Sequence, residues 1–300
     1  MIPNSASVFT LIETIAKQLA ARYNDYTLCH QYAWWMVQAV KNESQASLIG
    51  HQAIHLTSEQ QQQLQLWIDK QVTEAVPLQY LLGSVPFNSV EIFVEPPTLI
   101  PRPETEEWVA SLTDMLQKNS ITKLNILDLC TGSGCIALSL AKSFSNASCI
   151  GIDISDKAIA LSKKNALHNN VRNISFIQSD LYEQVSLYDF DIIVSNPPYI
   201  DEQEWLYLDD SVRRWEDKRA LIAPDQGLAI IKKIIMQAPE RLRCNELLES
   251  YSIPQLLIEI DHTQGAAVQK MMQEAGFEKT AIMKDLEGKD RVVTGAILKK

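Results

Sequence analysis

The chain has 300 residues, 46% of them hydrophobic and 21% charged, with a formal net charge of −10. That is enough apolar material for one large core and a small second domain, and no run is long enough for a membrane span, since the apolar stretches near Ile230-Ile231 and Leu256-Leu257-Ile258 are short and interrupted by charge. The acidity argues against a duplex-DNA clamp, which needs a basic face to neutralise phosphates; the densest basic group, Arg213-Arg214 with Lys218-Arg219, is split by Glu216 and Asp217.

Residues 6–22, 27–42 and 58–74 carry apolar side chains at spacings of three and four, as in Leu11, Ile12, Ile15, Leu19 and in Tyr32, Trp35, Met36, Val40, and are expected to be helices. Ser58 with Gln61 has the spacing of a capping box. Trp34 and Trp35 suit core packing or an interdomain contact. His51 and His55 are four apart, a metal-ligand spacing on a helix, but no third ligand follows, so no metal site is expected. Ser84-Val85-Pro86-Phe87, a turn at Asn88-Ser89 and Val90-Glu91-Ile92-Phe93-Val94 read as a β-hairpin. The expected organisation is a helical domain at 1–80, a hairpin linker at 81–99 and a larger domain at 100–300.

From Pro96 onward strands alternate with helices, the pattern of a parallel sheet covered on both faces, α/β in class. Leu124–Leu129 reads as a buried strand that enters the glycine turn Cys130-Thr131-Gly132-Ser133-Gly134 and then a helix. Gly132 and Gly134 let backbone approach a ligand closely. A second strand, Ala147–Ile152, ends in Asp153, about twenty residues on, where an acid can accept from a ribose diol. The turn lacks the third glycine of a dinucleotide fingerprint, which suits S-adenosylmethionine, a nucleoside without phosphate. A third strand, Asn173–Gln178, leads to Asp180, placed to accept from an adenine amino group, with Leu181 against the ring. Phe190–Ser195 then delivers Asn196-Pro197-Pro198-Tyr199. Two prolines remove backbone donors and leave carbonyls free to accept, so Asn196 and the Pro197 carbonyl can receive the two N–H groups of a planar amide or amine while Tyr199 packs on its face. Asp201 to Gln226 lacks periodicity and is a candidate substrate lid. Lys279–Met283 and Arg291–Leu298, joined at Gly288, close the chain as two strands.

These motifs resemble the HemK/PrmC-type protein-(glutamine-N5) methyltransferases. The resemblance covers nearly the whole chain and rests on Ile100-Pro101-Arg102-Pro103-Glu104-Thr105-Glu106, Asp128 to Ala141, Asp153, Ser179-Asp180, Ser195 to Ile200 and Lys289-Asp290-Arg291-Val292-Val293. It implies a Rossmann-like class I S-adenosylmethionine-dependent methyltransferase with a helical substrate-recognition domain. It also implies that Cys130 to Gly134, Asp153, Leu181 and Asn196 bind the methyl donor, that Asn196 to Tyr199 bind the substrate glutamine, and that the last two strands pair at the sheet edge. The implied substrate is the Gly-Gly-Gln glutamine of a peptide chain release factor. Cys130 stands where release-factor members usually carry glycine and is closer to a branch acting on a large-subunit ribosomal protein. Trp215-Glu216-Asp217 and Glu259-Ile260-Asp261 replace an aromatic-Glu-Pro and a Glu-x-Gly segment, and both are expected outside the donor cradle.

Two other readings stay open: a nucleic-acid amino methyltransferase, against which the missing basic patch speaks, and a donor-sensing module, which would need no amide-posing turn. The acidic surface suits a basic protein substrate. Five cysteines without a Cys-x-x-Cys pair fit reduced thiols, with Cys130 and Cys135 read as packing residues, and Met1-Ile2-Pro3-Asn4-Ser5 lacks an export signal, so a cytoplasmic monomer with no metal, membrane or direct nucleic-acid partner is expected.

Overall fold

The computed structural model describes residues 2–187 and 189–297 and resolves them into two compact units, 1–83 with 209–215 and 84–208 with 216–300. Met1, in the expected leaderless start, and Leu298, the expected end of the last strand, lie outside the described residues.

In the first unit, β1 (Ser5–Ala6) pairs antiparallel with β2 (Ile54–His55) beside the helices α1 (Val8–Leu19), α2 (Tyr26–Lys41), α3 (Gln45–Ile49), α4 (Ser58–Glu74) and α5 (Leu78–Leu82). The starts of α1 to α4 are set by side-chain caps, as where Ser7 accepts from Thr10 N–H and Asp25 from Thr27 and Leu28 N–H. At α4 the capping box is Thr57 with Gln60, one residue earlier than the expected Ser58 and Gln61, because Thr57 takes the non-helical cap position. Leu11, Ile12, Ile15, Leu19, Met36, Leu64 and Ile68 form the core, and Trp34 and Trp35 pack against it. His51 follows α3 and bonds Glu43 at 2.8 Å, while His55 sits in β2, so the two do not share a helix face.

The second unit begins with β3 (Ser84–Phe87) and β4 (Val90–Phe93), an antiparallel pair that is no free linker. It is held by α8 (Asp156–His168): Asn165 Oδ1 accepts Phe93 N–H and its Nδ2 donates to Phe93 O, while Asn169, the C-cap of α8, does the same for Glu91. After α6 (Pro103–Lys118), the parallel strands β5 (Asn125–Leu129), β6 (Ser148–Asp153), β7 (Ile174–Gln178), β8 (Ile192–Ser195) and β9 (Leu256–Glu259) alternate with helices that include α7 (Cys135–Ser143). The short α9 (Asp210–Trp215) belongs to the first unit, tied by Arg22 to Asp209 at 2.7 Å and by Trp215 Nε1 to Glu74 O at 3.1 Å. Then come α10 (Ala229–Gln237), α11 (Glu246–Ser250), α12 (Gly265–Glu274), β10 (Glu278–Lys284) and β11 (Asp290–Ala296).

The seven strands run in the order β10-β11-β9-β8-β5-β6-β7, with β10 and β11 antiparallel at one edge. Inward Leu127, Leu129, Ile150, Ile152, Ile193, Leu256 and Ile258 build the core against α10 and α12. Strand order reverses between β5 and β8, so a crevice opens at their carboxyl ends, where α/β sheets bind ligands. The other end is fastened by Asp191. Its fully buried carboxylate accepts from Asn125 N–H at 2.7 Å, Asn245 Nδ2 at 2.7 Å and the Arg243 guanidinium. No helix among the described residues is long and apolar enough to cross a membrane.

Candidate functional site

The crevice is set by two turns that leave neighbouring strands at the same level. Leu129 and Ser195 are register partners, and Ser195 Oγ donates to Leu129 O at 2.8 Å, so the turns at Cys130 and Asn196 start side by side. Cys130 takes φ +60°, a left-handed conformation that explains why glycine is common at such a position. Thr131 N–H bonds Ile152 O, and its hydroxyl donates to Asp128 Oδ2 at 2.5 Å. Asp128 Oδ2 also accepts Ala137 N–H at the start of α7, while Oδ1 is buried without a partner among the described residues. Burial pushes the Asp128 carboxyl up to about 7, against the pull of Thr131 and Ala137 N–H.

A cavity of about 300 Å³ lies over these turns. Among the expected donor residues, Cys130, Gly132, Asp153, Asp180, Leu181 and Asn196 line it. Thr131, Ser133 and Gly134 do not: Thr131 and Ser133 are buried in the turn, and Gly134, at φ +85°, stands where a Cβ would lie 3.0 Å from Phe176 and Ser162. Gly132, by contrast, has open space where its Cβ would be. Asp153 accepts from Gly132 N–H through Oδ2 and Ser155 N–H through Oδ1, each at 2.9 Å. Burial pushes its carboxyl up, and those two N–H groups oppose the shift. Asp180 is exposed at the rim and Leu181 is buried. The apolar wall also contains Leu99, Ile154, Ile222, Pro224 and Ile230, which no motif singled out.

Burial pushes the Cys130 thiol up, as it does Cys135, which reaches about 12; both are free cysteines.

Pro198 lines the cavity beside Asn196, whereas Pro197 and Tyr199 do not line it. Asn196 Nδ2 donates to Thr105 Oγ1 at 3.2 Å, and no donor among the described residues reaches the Pro197 carbonyl. Tyr199 O accepts from Gln264 Nε2, which also reaches Gln226 O. Gly227, at φ +80°, passes so close that an added Cβ would fall 1.8 Å from Tyr199 O. Burial raises the Tyr199 hydroxyl well above its ordinary value, so it stays protonated at neutral pH.

Of the two segments expected outside the cradle, the one that contains Asp217 lines it, whereas Glu259-Ile260-Asp261 does not. Asp217 and Arg219 line the cavity as an ion pair at 2.7 Å; Asp217 N–H bonds Pro97 O, and the buried Glu216 accepts Arg102 on both carboxylate oxygens at 2.7 Å. Glu259 lies directly behind the Asn196 turn, bonded to Thr105, Trp108 and Tyr199. The expected lid 201–226 is therefore three pieces: a 3₁₀ segment at Glu202–Tyr207, α9 in the first unit, and the cavity wall from Glu216.

The residues fit S-adenosylmethionine better than a dinucleotide. Gly132 and Ala137 N–H, two donors that a pyrophosphate would use, are committed to Asp153 and Asp128, while the acid and apolar walls for a nucleoside are in place.

Residues 109–209 match the Methyltransferase small domain family. The chain is 40% identical over 228 residues to the release factor glutamine methyltransferase of Flavobacterium psychrophilum, covering 74% of this chain and 76% of that one. It is 40% identical over 238 residues to the protein of the same name from Lactococcus lactis subsp. lactis, covering 79% and 83%. In fold it is similar to the hMettl16 catalytic domain solved in complex with MAT2A 3′UTR hairpin 6, with a TM-score of 0.55 at 15% identity, covering 84% of this chain and 86% of that one.

Proposed function

We infer the reaction from the family to which this chain belongs, the release factor glutamine methyltransferases: it transfers a methyl group from S-adenosylmethionine to the side-chain amide nitrogen of the Gly-Gly-Gln glutamine of a peptide chain release factor. The observation that supports the assignment to this site is that the Asn196 turn starts beside the Cys130 turn at the crevice where the sheet reverses, with Asn196 itself lining the cavity. Cys130, Gly132, Asp153, Asp180, Leu181 and Asn196 hold the donor, with Asp153 on the ribose diol, while Thr131, Ser133 and Gly134 give the turn its shape. When bound, S-adenosylmethionine supplies an electrophilic sulfonium methyl.

An amide nitrogen is a poor nucleophile because its lone pair is delocalised into the carbonyl. Asn196 Oδ1 and Pro197 O accept both of its N–H groups, fix its direction and favour rehybridisation, so positioning and electrostatics carry the step. The proton lost by the nitrogen leaves to water or through Asn196 Oδ1. Tyr199 packs on the amide plane and, held protonated, plays no part as a base. A glutamate side chain brings no N–H and meets two acceptors; sites built this way reject such analogues by about 10⁴-fold or more. The enzyme works in the cytoplasm as a monomer and recognises protein rather than nucleic acid, with the helical unit as the substrate-recognition part. Its free cysteines and net charge of −10 support that reading.

The test is mass spectrometry of an unmethylated release factor after incubation with enzyme and donor, beside a Gly-Gly-Gln→Gly-Gly-Ala substrate. One added methyl on that glutamine, absent from the control, upholds the reaction. Methylation of a ribosomal protein or RNA instead refutes the substrate assignment.

A further inference from the structure

Behind Asn196 lies a set of polar groups that the reaction itself does not consume. Glu259 is 1% exposed at the end of β9, with Thr105 at 1% and Trp108 at 4% on α6. Glu259 Oε2 accepts from Trp108 Nε1 and from Thr105 Oγ1, both at 2.8 Å, and Oε1 lies 3.4 Å from the Tyr199 hydroxyl. Thr105 Oγ1 is in turn 3.2 Å from Asn196 Nδ2.

With Glu259 ionised, the donor and acceptor chemistry of this chain of hydrogen bonds has one solution. An indole N–H only donates, so Oε2 is an acceptor. A threonine hydroxyl has one proton, and at 2.8 Å from that oxygen the proton is committed to it, leaving only lone pairs for Asn196. The Asn196 group facing Thr105 is therefore NH₂, and Oδ1 must turn the other way. A side-chain amide has nearly the same shape in both orientations, so without such a partner nothing in its packing separates them. A buried carboxylate is also a costly occupant of a strand end, where an apolar residue of the same volume is often more stabilising. Its presence directly behind the amide-posing turn points to specificity rather than stability.

We propose that Glu259, acting through Thr105, is the positioning residue that locks the Asn196 amide with its oxygen toward the substrate, and that this lock is what makes the site select glutamine over glutamate. The proposal rests on the reading of Asn196 as acceptor for the substrate amide. If the hydroxyl is removed, the amide is free to rotate by half a turn and offer NH₂, a partner for a carboxylate.

The experiment measures kcat and KM on intact release factor, together with inhibition by the same factor carrying Gly-Gly-Glu. Thr105→Val and Glu259→Leu are expected to lower kcat by about 10- to 100-fold, the range found when the partner orienting a functional ligand is lost. In both, the Gly-Gly-Glu factor is expected to become a better inhibitor than it is of the wild type. Thr105→Ser keeps the hydroxyl, and Glu259→Gln keeps an oxygen that accepts from both donors, so both are expected to retain activity and selectivity. Wild-type turnover in Thr105→Val overturns the proposal. So does a fall in kcat with no gain in Gly-Gly-Glu inhibition, which would mark plain packing damage. Should the wild type leave the glutamine unmethylated, the reaction reading fails instead. The lock is then decided by the Asn196 side-chain NH₂ resonances, which shift on Thr105→Val but not on Thr105→Ser if it exists; no shift overturns it.

Discussion

Replacing Asp191 by alanine tests whether the end of the sheet away from the crevice supports stability alone. The substitution leaves the Asn125 backbone N–H without its carboxylate, a bond worth about 1.5–3 kcal/mol when the acceptor is charged. Arg243 is 44% exposed and can turn to water, so its pairing adds at most about 1 kcal/mol. The expected loss is about 3 kcal/mol, or a fall in Tm of about 6–12 °C at the roughly 2–4 °C per kcal/mol of a unit this size. Calorimetry measures the fall, and kcat and KM at 25 °C on folded enzyme are expected to match the wild type, because Asp191 precedes β8 and Asn196 follows it. A Tm within about 2 °C of wild type, or a loss of kcat with unchanged Tm, would refute the reasoning.

Asn196→Ala is expected to lower kcat by roughly 10²-fold or more with little change in Tm, read by steady-state kinetics and melting; normal turnover would sink the acceptor role. Gly227→Ala drives a Cβ to 1.8 Å from Tyr199 O and forces φ +80° on a side chain, so both Tm and kcat should fall. Asp128 is held at about 7 when folded against 3.8 ordinarily, so the native state binds its proton more tightly than the unfolded chain does. Its contribution to stability is therefore fully present at acid pH and lost as pH rises through about 7. Asp128→Asn removes that slope from a urea-stability profile between pH 4 and 8, about the window of the shift, and an unchanged profile would show the carboxyl to be ionised throughout.

The parallel strands β5 to β8 were legible because each is a short apolar run ended by a polar turn, and Asn196 to Tyr199 announced itself by two prolines after such a run. The support behind that turn was not. Thr105, on α6, and Glu259, at the end of β9, are 154 residues apart and meet only in the folded chain. The available signal was Glu259 itself, a charge inside Leu256-Leu257-Ile258-Glu259-Ile260 where the pattern asks for an apolar residue. Asp217 was hidden in the same way: its loop reads as solvated charge until Pro97 and Arg102 are brought beside it. Segment 209–215 returns to the first unit through Arg22 and Glu74, and no local periodicity encodes such a return.

The hairpin at β3 and β4 carries a consequence for how the protein behaves in a crowded solution. An open strand edge is a template on which another chain can add and begin to aggregate. Here Asn165 and Asn169, one helical turn apart, each offer a carboxamide with the same donor and acceptor as a peptide group, and they meet Phe93 and Glu91, two residues apart on the strand. A helix thus imitates a neighbouring strand and closes the ladder with side chains. Two asparagines thereby take up the hydrogen-bonding groups that the β4 edge would offer to another copy of the molecule.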